Sequence, residues 1–438
     1  MITIDQTLVV TISHAVSEAL ADQRIERSAS VQPALDLTTE REFARRIVGN
    51  HLDSLAARHL AGGVETLSSE GEAQLADAVL ARVLGLGRIQ PLLDSPEIND
   101  IHIRGAASTW VKTVDGRRFA SAPVVDSDEE LIDLVRLVAA RAGRSERRFD
   151  AANPELNIQL PDGSRLFATM EVSARPSVII RKHRFELSSL RELEDNGLLD
   201  EGLTEFLAAA VRAKRNMVIA GGTGSGKTTL LRALLNEVPV DERIVTIEDA
   251  YELGLDRFEE LHPDYDMLQS RPANIEGRGA ITMVDLTRMA LRMDPDRVVI
   301  GEVRGPEAFP MLMAMSQGNN GSMCTMHADS SRTVFPKLAA YVSMAELGLP
   351  VDTVNLLLAT ALHFVVHIET IGGVRRVTSI REVVDADGVR IVSNEVFKPG
   401  LDGRAVPGYP LRSTTLALLE AHGFDAAYLD KPEGWWVS

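Results

Sequence analysis

The segment Gly221 to Thr228, which reads Gly-Gly-Thr-Gly-Ser-Gly-Lys-Thr, constrains the fold of this chain more than any other feature of its sequence. It has the spacing of a phosphate-binding loop, in which glycines let backbone N–H groups turn inward around phosphate oxygens. In such a loop Lys227 reaches the β- and γ-phosphates of a nucleotide, and the Thr228 hydroxyl is offered to Mg²⁺. The apolar run Met217 to Ala220 before the loop, and leucines at helical spacing after it, place the loop between a strand and a helix. The predicted nucleotide-binding residues are Gly222, Thr223, Gly224, Ser225, Gly226, Lys227, Thr228 and Thr229.

The composition indicates a globular protein with an acidic surface. Its 438 residues suggest about three domains, at ~150 residues for each domain. The 46 Lys and Arg residues against 63 Asp and Glu residues give a formal charge of −17, which disfavours broad electrostatic binding to nucleic acid. The sequence also lacks basic clusters interleaved with aromatic residues. We therefore expect no nucleic-acid partner.

The sequence predicts neither a membrane span nor a secretory signal. No stretch approaches the ~18 consecutive apolar residues that a membrane-spanning helix needs, and the longest candidate is only Leu356 to Leu362. The first residues lack a cationic start followed by an apolar core. The single cysteine, Cys324, cannot form an internal disulfide and is expected to be a small core residue of a strand. We expect a cytoplasmic protein.

Changes of pattern along the sequence divide the chain into five segments. Helical spacing at Glu40 to Leu60 and at Glu70 to Leu84 predicts an N-terminal helical region. Short strands and turns then predict an α+β domain, and the later alternation of strands with helices predicts an α/β domain with a doubly wound parallel sheet and an antiparallel meander. In the tail, Trp435 and Trp436 either form an interaction patch or pack back onto the domain. The predicted segments are 1–85 (helical region), 86–185 (α+β domain), 186–200 (charged linker), 201–400 (α/β domain) and 401–438 (tail).

Acidic residues stand where the strand after the loop ends. Glu248, Asp249 and Glu252 follow the predicted strand Arg243 to Ile247. Ligands bind at the carboxyl ends of strands in open α/β sheets, so these acids are placed to orient an attacking water or to hold Mg²⁺. Glu248 or Glu252 is thus a candidate general base. The alternative is structural, because Asp249 suits the start of a helix as its N-cap.

Two further strands deliver Glu302 and His327 to the same predicted edge of the sheet. Glu302 is a candidate Mg²⁺ ligand beside Thr228, because phosphoryl transfer requires carboxylates that hold the metal or its water. With Glu248 and Glu252 it is also a candidate general base. The preceding Gly301 occupies a position where many phosphate-loop enzymes carry Asp, so contact through water is an alternative. His327 is either a γ-phosphate sensor or a satisfied core histidine. The remaining candidates, His262, His363 and His367, are expected to be structural.

With these residues in hand, the chain resembles the secretion ATPase superfamily of type II and type IV systems, most closely the ATPases that assemble tight-adherence (Tad) pili. The likeness covers roughly residues 90–395. It implies a RecA-like motor domain after an N-terminal domain, a hexameric ring, and ATP held between the two domains of one subunit. The family's acidic box maps to Glu248 to Glu252, its second acidic strand to Glu302 and its histidine box to His327. The matching segments are LPDGSR (Leu160 to Arg165), IIRKH (Ile179 to His183), GGTGSGKTTLL, TIEDAYEL, NIEGRGAITMVDLTRMALRMDPDRVVIGEVRGPEA and GSMCTMHADSSRTV.

The same resemblance implies that Arg165 and Arg181, from the N-terminal domain, approach the phosphates and act in catalysis. The alternative for both arginines is an ion pair at a strand edge. The resemblance also marks Arg278, Arg288 and Arg304 as candidates for contacts between subunits. Two features depart from the Tad pattern: the linker after Arg181 lacks a proline, and Asp329 stands where Asn is common. In contrast, the four-cysteine zinc motif of many type II secretion ATPases is missing, which favours the Tad-like branch.

These observations predict a Mg²⁺-dependent ATPase that hydrolyses ATP to ADP and phosphate. The first interpretation is a motor for assembly or retraction of a Tad or type IV-like pilus, or for a type II secretion apparatus. Its expected partners are further copies in a homo-hexamer and an integral membrane platform protein, which would hold it at the inner face of the cell membrane. One alternative is a type IV secretion or conjugation ATPase. Another is a nucleotide-binding scaffold without turnover, which the complete set of catalytic residues disfavours.

Overall fold

A computed structural model describes residues 6–30, 32, 35, 37–64, 66–142, 148–182, 188–273 and 276–436 of the chain. The chain divides into two compact units, residues 1–183 and 184–438. His183 of the IIRKH segment, the start of the predicted linker and residues 274–275 of the NIEGRG segment lie outside the described residues. The finer segment boundaries remain predictions.

The first unit begins with three helices, α1 (Gln6–Ala29), α2 (Leu37–Ala61) and α3 (Ser69–Val83). They enclose a small core of their own that includes Val16, Val48 and Val79. Ser68 caps α3, because its side chain accepts a hydrogen bond from the N–H of Gly71. The helices predicted over residues 40–60 and 70–84 are confirmed.

An antiparallel sheet covered by a helix makes up the rest of this unit, as the sequence predicted. Its strands run in the order β3-β2-β1-β6-β5-β4. Alternate residues of the strands, among them Ile101, Leu166 and Ile180, are buried in one core together with Leu131 of the covering helix. The elements are α4 (Gln90–Asp94), β1 (Ile98–Arg104), β2 (Ser108–Thr113), β3 (Arg118–Ser121), α5 (Asp128–Ala142), β4 (Glu155–Gln159), β5 (Arg165–Thr169) and β6 (Ser177–Arg181).

The second unit is built on a nine-stranded sheet. Its elements are α6 (Leu190–Asp195), α7 (Glu201–Arg212), β7 (Met217–Gly221), α8 (Lys227–Leu235), β8 (Ile244–Glu248), β9 (Tyr265–Gln269), α9 (Met283–Ala290), β10 (Arg297–Ile300), α10 (Ala308–Ser316), β11 (Met323–His327), α11 (Val334–Ser343), α12 (Val351–Ala361), β12 (Phe364–Ile371), β13 (Val374–Asp387), β14 (Arg390–Pro399), β15 (Ala405–Pro407) and α13 (Ser413–Glu420). The strand order is β15-β14-β13-β12-β7-β11-β10-β8-β9. The six strands from β12 to β9 are parallel, and β13 to β15 extend the sheet as an antiparallel meander.

Helices cover both faces of this sheet, which confirms the predicted RecA-like, doubly wound α/β fold. Met217 and Ile219 of β7 face a core that α7 and α8 complete, whereas Val218 and Ala220 face a core formed with α10 to α12. Cys324 is buried in the second core, as predicted. Strand β11 lies between β7 and β10, so the carboxyl ends of these three strands are neighbours.

Two segments carry more structure than their sequences predicted. The predicted linker contains α6, whose capping box joins Ser189 and Glu192. The tail contributes β15 and α13, and its two tryptophans pack back onto the unit: the indole N–H of Trp435 donates to the Tyr428 carbonyl, and that of Trp436 donates to the Ala405 carbonyl. Among the described helices, none is long and apolar enough to cross a membrane.

Candidate active site

The phosphate loop joins β7 to α8 and has a backbone that only glycine accommodates at two points. Gly226, directly before α8, has a φ of +102° in the left-handed region. Gly221, at the end of β7, approaches β12 so closely that a Cβ atom would lie 2.4 Å from the Ile368 carbonyl oxygen. The glycine spacing of the loop is therefore required by its packing as well as by phosphate chemistry.

Lys227 begins α8 and turns back over the loop. Its ammonium group donates hydrogen bonds to the carbonyl oxygens of Gly221, at 3.1 Å, and Gly222, at 2.7 Å. Burial lowers the pKa of Lys227, while the nearby carboxylates of Glu302 and Glu252 oppose this shift. The loop thus holds a desolvated cation at the point where the sequence predicts phosphate binding.

His327 links the loop lysine to Glu302. Its Nδ1 lies 3.5 Å from the Lys227 Nζ, and its Nε2 lies 2.7 Å from the Glu302 Oε1. Because Lys227 can only donate, we assign Nδ1 as the acceptor, which places the ring proton on Nε2, beside the carboxylate. Burial and the charge of Lys227 lower the pKa of His327, which favours this neutral form. The three predicted residues therefore meet at the carboxyl ends of β7, β11 and β10.

Glu248 is almost completely buried at the end of β8. It is 2% exposed, and its Oε1 accepts backbone N–H bonds from Glu252 and Leu253, both at 2.9 Å. Burial raises the pKa of Glu248 to about 8, so most of this carboxyl is protonated at neutral pH. Gly301 packs against it, because a Cβ atom there would lie 3.1 Å from the Glu248 Cγ. Through these contacts Glu248 packs the acidic box (Glu248 to Glu252) against the carboxyl end of β10.

The suggestion that Asp249 caps a helix is wrong. The acidic box is followed by an irregular segment with one short 3₁₀ turn, Leu255–Arg257. Asp249 instead accepts a hydrogen bond from the Ser270 hydroxyl, at 2.7 Å, and forms an ion pair with Arg304. Arg304 therefore has a partner within its own chain, and its contact with another subunit stays a prediction. The contacts of Arg278 and Arg288 with another subunit also stay predictions.

Arg165 and Arg181 lie directly opposite each other on β5 and β6 of the first unit. The Arg181 Nε donates to the buried Asp100 carboxylate at 2.9 Å, yet 57% of the Arg181 side chain remains exposed. The Arg165 Nε donates to the Asn157 side-chain oxygen at 3.1 Å. The ion pair considered from the sequence is thus present at Arg181. The action of both arginines on phosphates stays a prediction.

The residues around the loop fit a nucleoside triphosphate and its metal ion. The buried Ser225 hydroxyl has no hydrogen-bond partner among the described residues, so the loop offers a spare donor. Thr228 and Glu302 supply oxygen ligands of the kind that Mg²⁺ shares with phosphate oxygens and water. In the described parts of the chain, no group of three or more His, Cys, Asp or Glu could hold a metal alone.

The sequence did not indicate two cations near the loop. Lys337 of α11 acts electrostatically on both Lys227 and His327. Arg375 at the start of β13 has its Cδ atom 3.4 Å from the position of a Cβ atom on Gly226. For Lys337 the sequence carried no signal. For Arg375 the only signal was its position after the Gly372-Gly373 turn, and that position does not show that the meander lies near the loop.

Comparison with known proteins identifies the family. The family model described as "Type II/IV secretion system protein" matches residues 84–371. A putative conjugal transfer protein of Mycobacterium tuberculosis is 34% identical over 314 residues, which cover 69% of this chain and 86% of that protein. The type IV secretion system protein VirB11 of Brucella suis is 30% identical over 308 residues, covering 64% of this chain and 83% of that protein. The crystal structure of a Brucella suis VirB11 ATPase with sulphate aligns with a TM-score of 0.36 and 28% identity, over 68% of this chain and 93% of that one. The chain belongs to the type II/IV secretion system protein family and is a P-loop ATPase of that family.

Proposed function

We propose that this chain is the Mg²⁺-dependent ATPase of a type IV secretion or conjugal-transfer apparatus. The observation that carries the catalytic part is the chain of contacts from Lys227 through His327 to Glu302 beside the phosphate loop. The apparatus is suggested by the relatives, which are described as a conjugal transfer protein and as type IV secretion proteins. This proposal favours the alternative that the sequence left open over a pilus motor.

The residues of the loop would bind and orient the triphosphate. Backbone N–H groups of residues 222–228 and the Lys227 ammonium would hold the phosphate oxygens, with the Ser225 hydroxyl as a further donor. Thr228 and Glu302 would hold Mg²⁺, which neutralises charge on the transferred phosphoryl group when it is bound. In this proposal Glu302 accepts the proton of the attacking water, and Glu248 positions the end of β8 instead. His327 keeps Glu302 in place because its Nε2 lies 2.7 Å from the Glu302 Oε1.

The assignment of Glu302 over Glu248 rests on their surroundings. The Glu248 pKa of about 8 leaves little carboxylate at neutral pH, and its Oε1 already accepts two backbone bonds. Glu302 has a side chain that is 36% exposed, so water reaches it. A base must be ionised and accessible to accept a proton.

Hexamer formation, a membrane platform partner and a place at the inner face of the cell membrane are part of the same proposal, and they rest on the family resemblance. A pilus motor is the second candidate, supported by the Tad-like segments from LPDGSR to GSMCTMHADSSRTV. Deleting the gene and restoring it with an active or an inactive copy separates the two. The proposal expects loss of conjugal transfer or protein export with pili intact, and loss of pili alone would contradict it.

A phosphate-release assay tests the catalytic assignment. We expect Glu302→Gln to reduce steady-state turnover at least about 100-fold while ATP still binds, because the variant keeps the shape of the side chain but cannot take a proton. Glu420→Gln, at an exposed position on α13, serves as the matched control and should keep wild-type turnover. Equal turnover in wild type and Glu302→Gln would reject the assignment and favour a scaffold without hydrolysis.

The role predicted for Arg165 and Arg181 has its own test. Arg181→Ala should retain ATP binding and lose turnover, because a positioned arginine stabilises charge in the transition state. Unchanged turnover would remove Arg181 from the mechanism and leave its ion pair with Asp100 as its role.

A further inference from the structure

A polar cavity lies at the amino ends of the central strands of the nine-stranded sheet, opposite the end that carries the phosphate loop. It has a volume of about 430 Å³, within the range of small-molecule sites. Its polar lining comes from Arg215, which precedes β7, from His363, which precedes β12, and from the start of α13. The five residues of β7 separate this edge from the loop by about 17 Å, at about 3.3 Å for each residue. We call this cavity the amino-edge pocket.

One of its two arginines is already neutralised within the chain. Glu382, 1% exposed, accepts a hydrogen bond from the Arg412 Nε at 2.9 Å and another from the Arg412 backbone N–H at 3.0 Å. The Thr415 hydroxyl also donates to Glu382, at 2.5 Å. This carboxylate therefore caps the N-terminus of α13 and balances the charge of Arg412.

Arg215 has no such counter-ion among the described residues. Its Nε donates to the carbonyl oxygen of Ala213 at 3.2 Å, a neutral acceptor within the same turn. Burial and then the charge of Arg412 lower the pKa of Arg215, and the charge of Glu382 opposes this shift, so the two guanidinium groups repel each other and compete for one carboxylate. With Glu382 assigned to Arg412, the pocket carries a net charge of about +1 on a chain of formal charge −17.

Neutral donors face the same space. The Nδ1 of His363 accepts the Asn216 backbone N–H at 2.9 Å, so the ring proton resides on Nε2, which is then a donor. Burial and the two arginines lower the pKa of His363 to about 4, which keeps the ring neutral. The Thr414 hydroxyl also lines the pocket, on the first turn of α13. A planar guanidinium, an imidazole N–H and a hydroxyl thus converge from three elements.

We propose that the amino-edge pocket is a binding site for a small soluble phosphate-bearing anion, separate from the ATP site. A phosphate group accepts hydrogen bonds on several oxygens in different directions, which suits donors that come from three sides. The guanidinium of Arg215 supplies the charge and two parallel N–H bonds, and the start of α13 adds a favourable dipole. The pocket is large enough for a phosphorylated metabolite beyond the phosphate itself.

Inorganic pyrophosphate, without Mg²⁺, is the probe for this site in full-length protein. Isothermal titration is carried out on Lys227→Ala, because that change removes the main lysine contact of the loop and isolates the second site. We expect one pyrophosphate site for each chain in this background. Adding Arg215→Gln should weaken binding about tenfold to a hundredfold, as expected for a lost hydrogen bond to a charged group.

Two further variants keep the test independent of folding defects. Arg212→Gln is the matched control, because Arg212 is three residues away on α7, pairs with Glu237 at 2.7 Å and does not line the pocket. Thr414→Val removes one exposed hydroxyl and should weaken binding about two- to tenfold. Thermal midpoints within a few degrees of the Lys227→Ala parent show that each variant is folded.

Three results would overturn the proposal. The first is no pyrophosphate binding to Lys227→Ala, and the second is equal affinity in the Arg215→Gln and Arg212→Gln variants. The third result distinguishes a soluble ligand from a lipid headgroup. If the protein sediments with phosphatidic acid vesicles in a way that depends on Arg215, but does not bind pyrophosphate, the pocket binds a membrane surface instead.

Discussion

Replacing Glu248 by Gln should make the ATPase unit more stable at neutral pH, although it changes the proposed active site. The pKa of Glu248 rises from 4.5 to about 8 on folding, which is 3.5 pKa units or about 5 kcal/mol at about 1.4 kcal/mol for each unit. This stability is fully present below pH 4.5, where the carboxyl is protonated in both states. It is lost progressively as the pH rises from 4.5 through 8, because the buried carboxylate is poorly solvated. At pH 7 about 3–4 kcal/mol has been lost, from 2.5 units at the same conversion.

Urea denaturation of wild type and Glu248→Gln at pH 5.5, 7.0 and 8.5 measures this effect. The Gln side chain keeps an oxygen that can accept the backbone N–H bonds of Glu252 and Leu253, so the local structure should persist. We expect the difference in unfolding free energy to grow in favour of the variant from pH 5.5 to pH 8.5. Glu302→Gln controls for the loss of one acidic group at the same sheet edge.

A stability difference between wild type and Glu248→Gln that does not change with pH would refute this reasoning. Turnover adds an independent readout. Because Glu248 is proposed to position the end of β8 and the Gln side chain can keep its backbone bonds, Glu248→Gln should combine higher stability with near wild-type phosphate release. Higher stability with a large loss of phosphate release would instead make Glu248 a catalytic residue.

Three further changes test other parts of the site and its support. Lys227→Ala should weaken ATP binding at least about 100-fold in a fluorescent-nucleotide titration, because the loop loses its buried cation, whereas the exposed Lys398→Ala should bind normally. Gly301→Ala should cost about 1–3 kcal/mol of stability and reduce turnover, since the new Cβ would lie 3.1 Å from the Glu248 Cγ; unchanged urea midpoints would contradict that packing. Asn216→Ala should cost about 3–5 kcal/mol, measured by urea unfolding, because this buried side chain bonds two carbonyl groups and two backbone N–H groups; a loss below about 1 kcal/mol would show that water replaces them.

The sequence predicted the parts of the site whose chemistry is local. The loop from Gly221 to Thr228 determines its own backbone, because glycine positions and the lysine sit at fixed offsets along one strand–loop–helix unit. Glu302 and His327 were found because parallel strands bring their carboxyl ends to one edge. The alternation of strands with helices likewise predicted a doubly wound parallel sheet, and helices cover both of its faces.

Features that depend on tertiary packing were beyond sequence reasoning. The burial of Glu248, and hence its raised pKa, results from β10 approaching at Gly301. Asp249 resembled a helix cap because the sequence does not show that an irregular segment follows, where Ser270 and Arg304 become its partners. In each case the residue type was noticed, but its role is set by a neighbour distant in sequence.

In the first unit, strand register collects positive charge that no single segment of the sequence shows. Register places one row of mostly charged residues across all six strands: Arg118, Lys112, Asp100, Arg181, Arg165 and Gln159. Burial alone raises the pKa of Asp100, but hydrogen bonds and charges from Arg181 and its neighbours outweigh this and leave the pKa below its ordinary value. This carboxylate balances one of four cations, and like charges directly opposite each other on paired strands are destabilising. The row therefore keeps a net positive charge of about three, at a cost in stability that an anion would relieve, and this supports the prediction that Arg165 and Arg181 serve a phosphate.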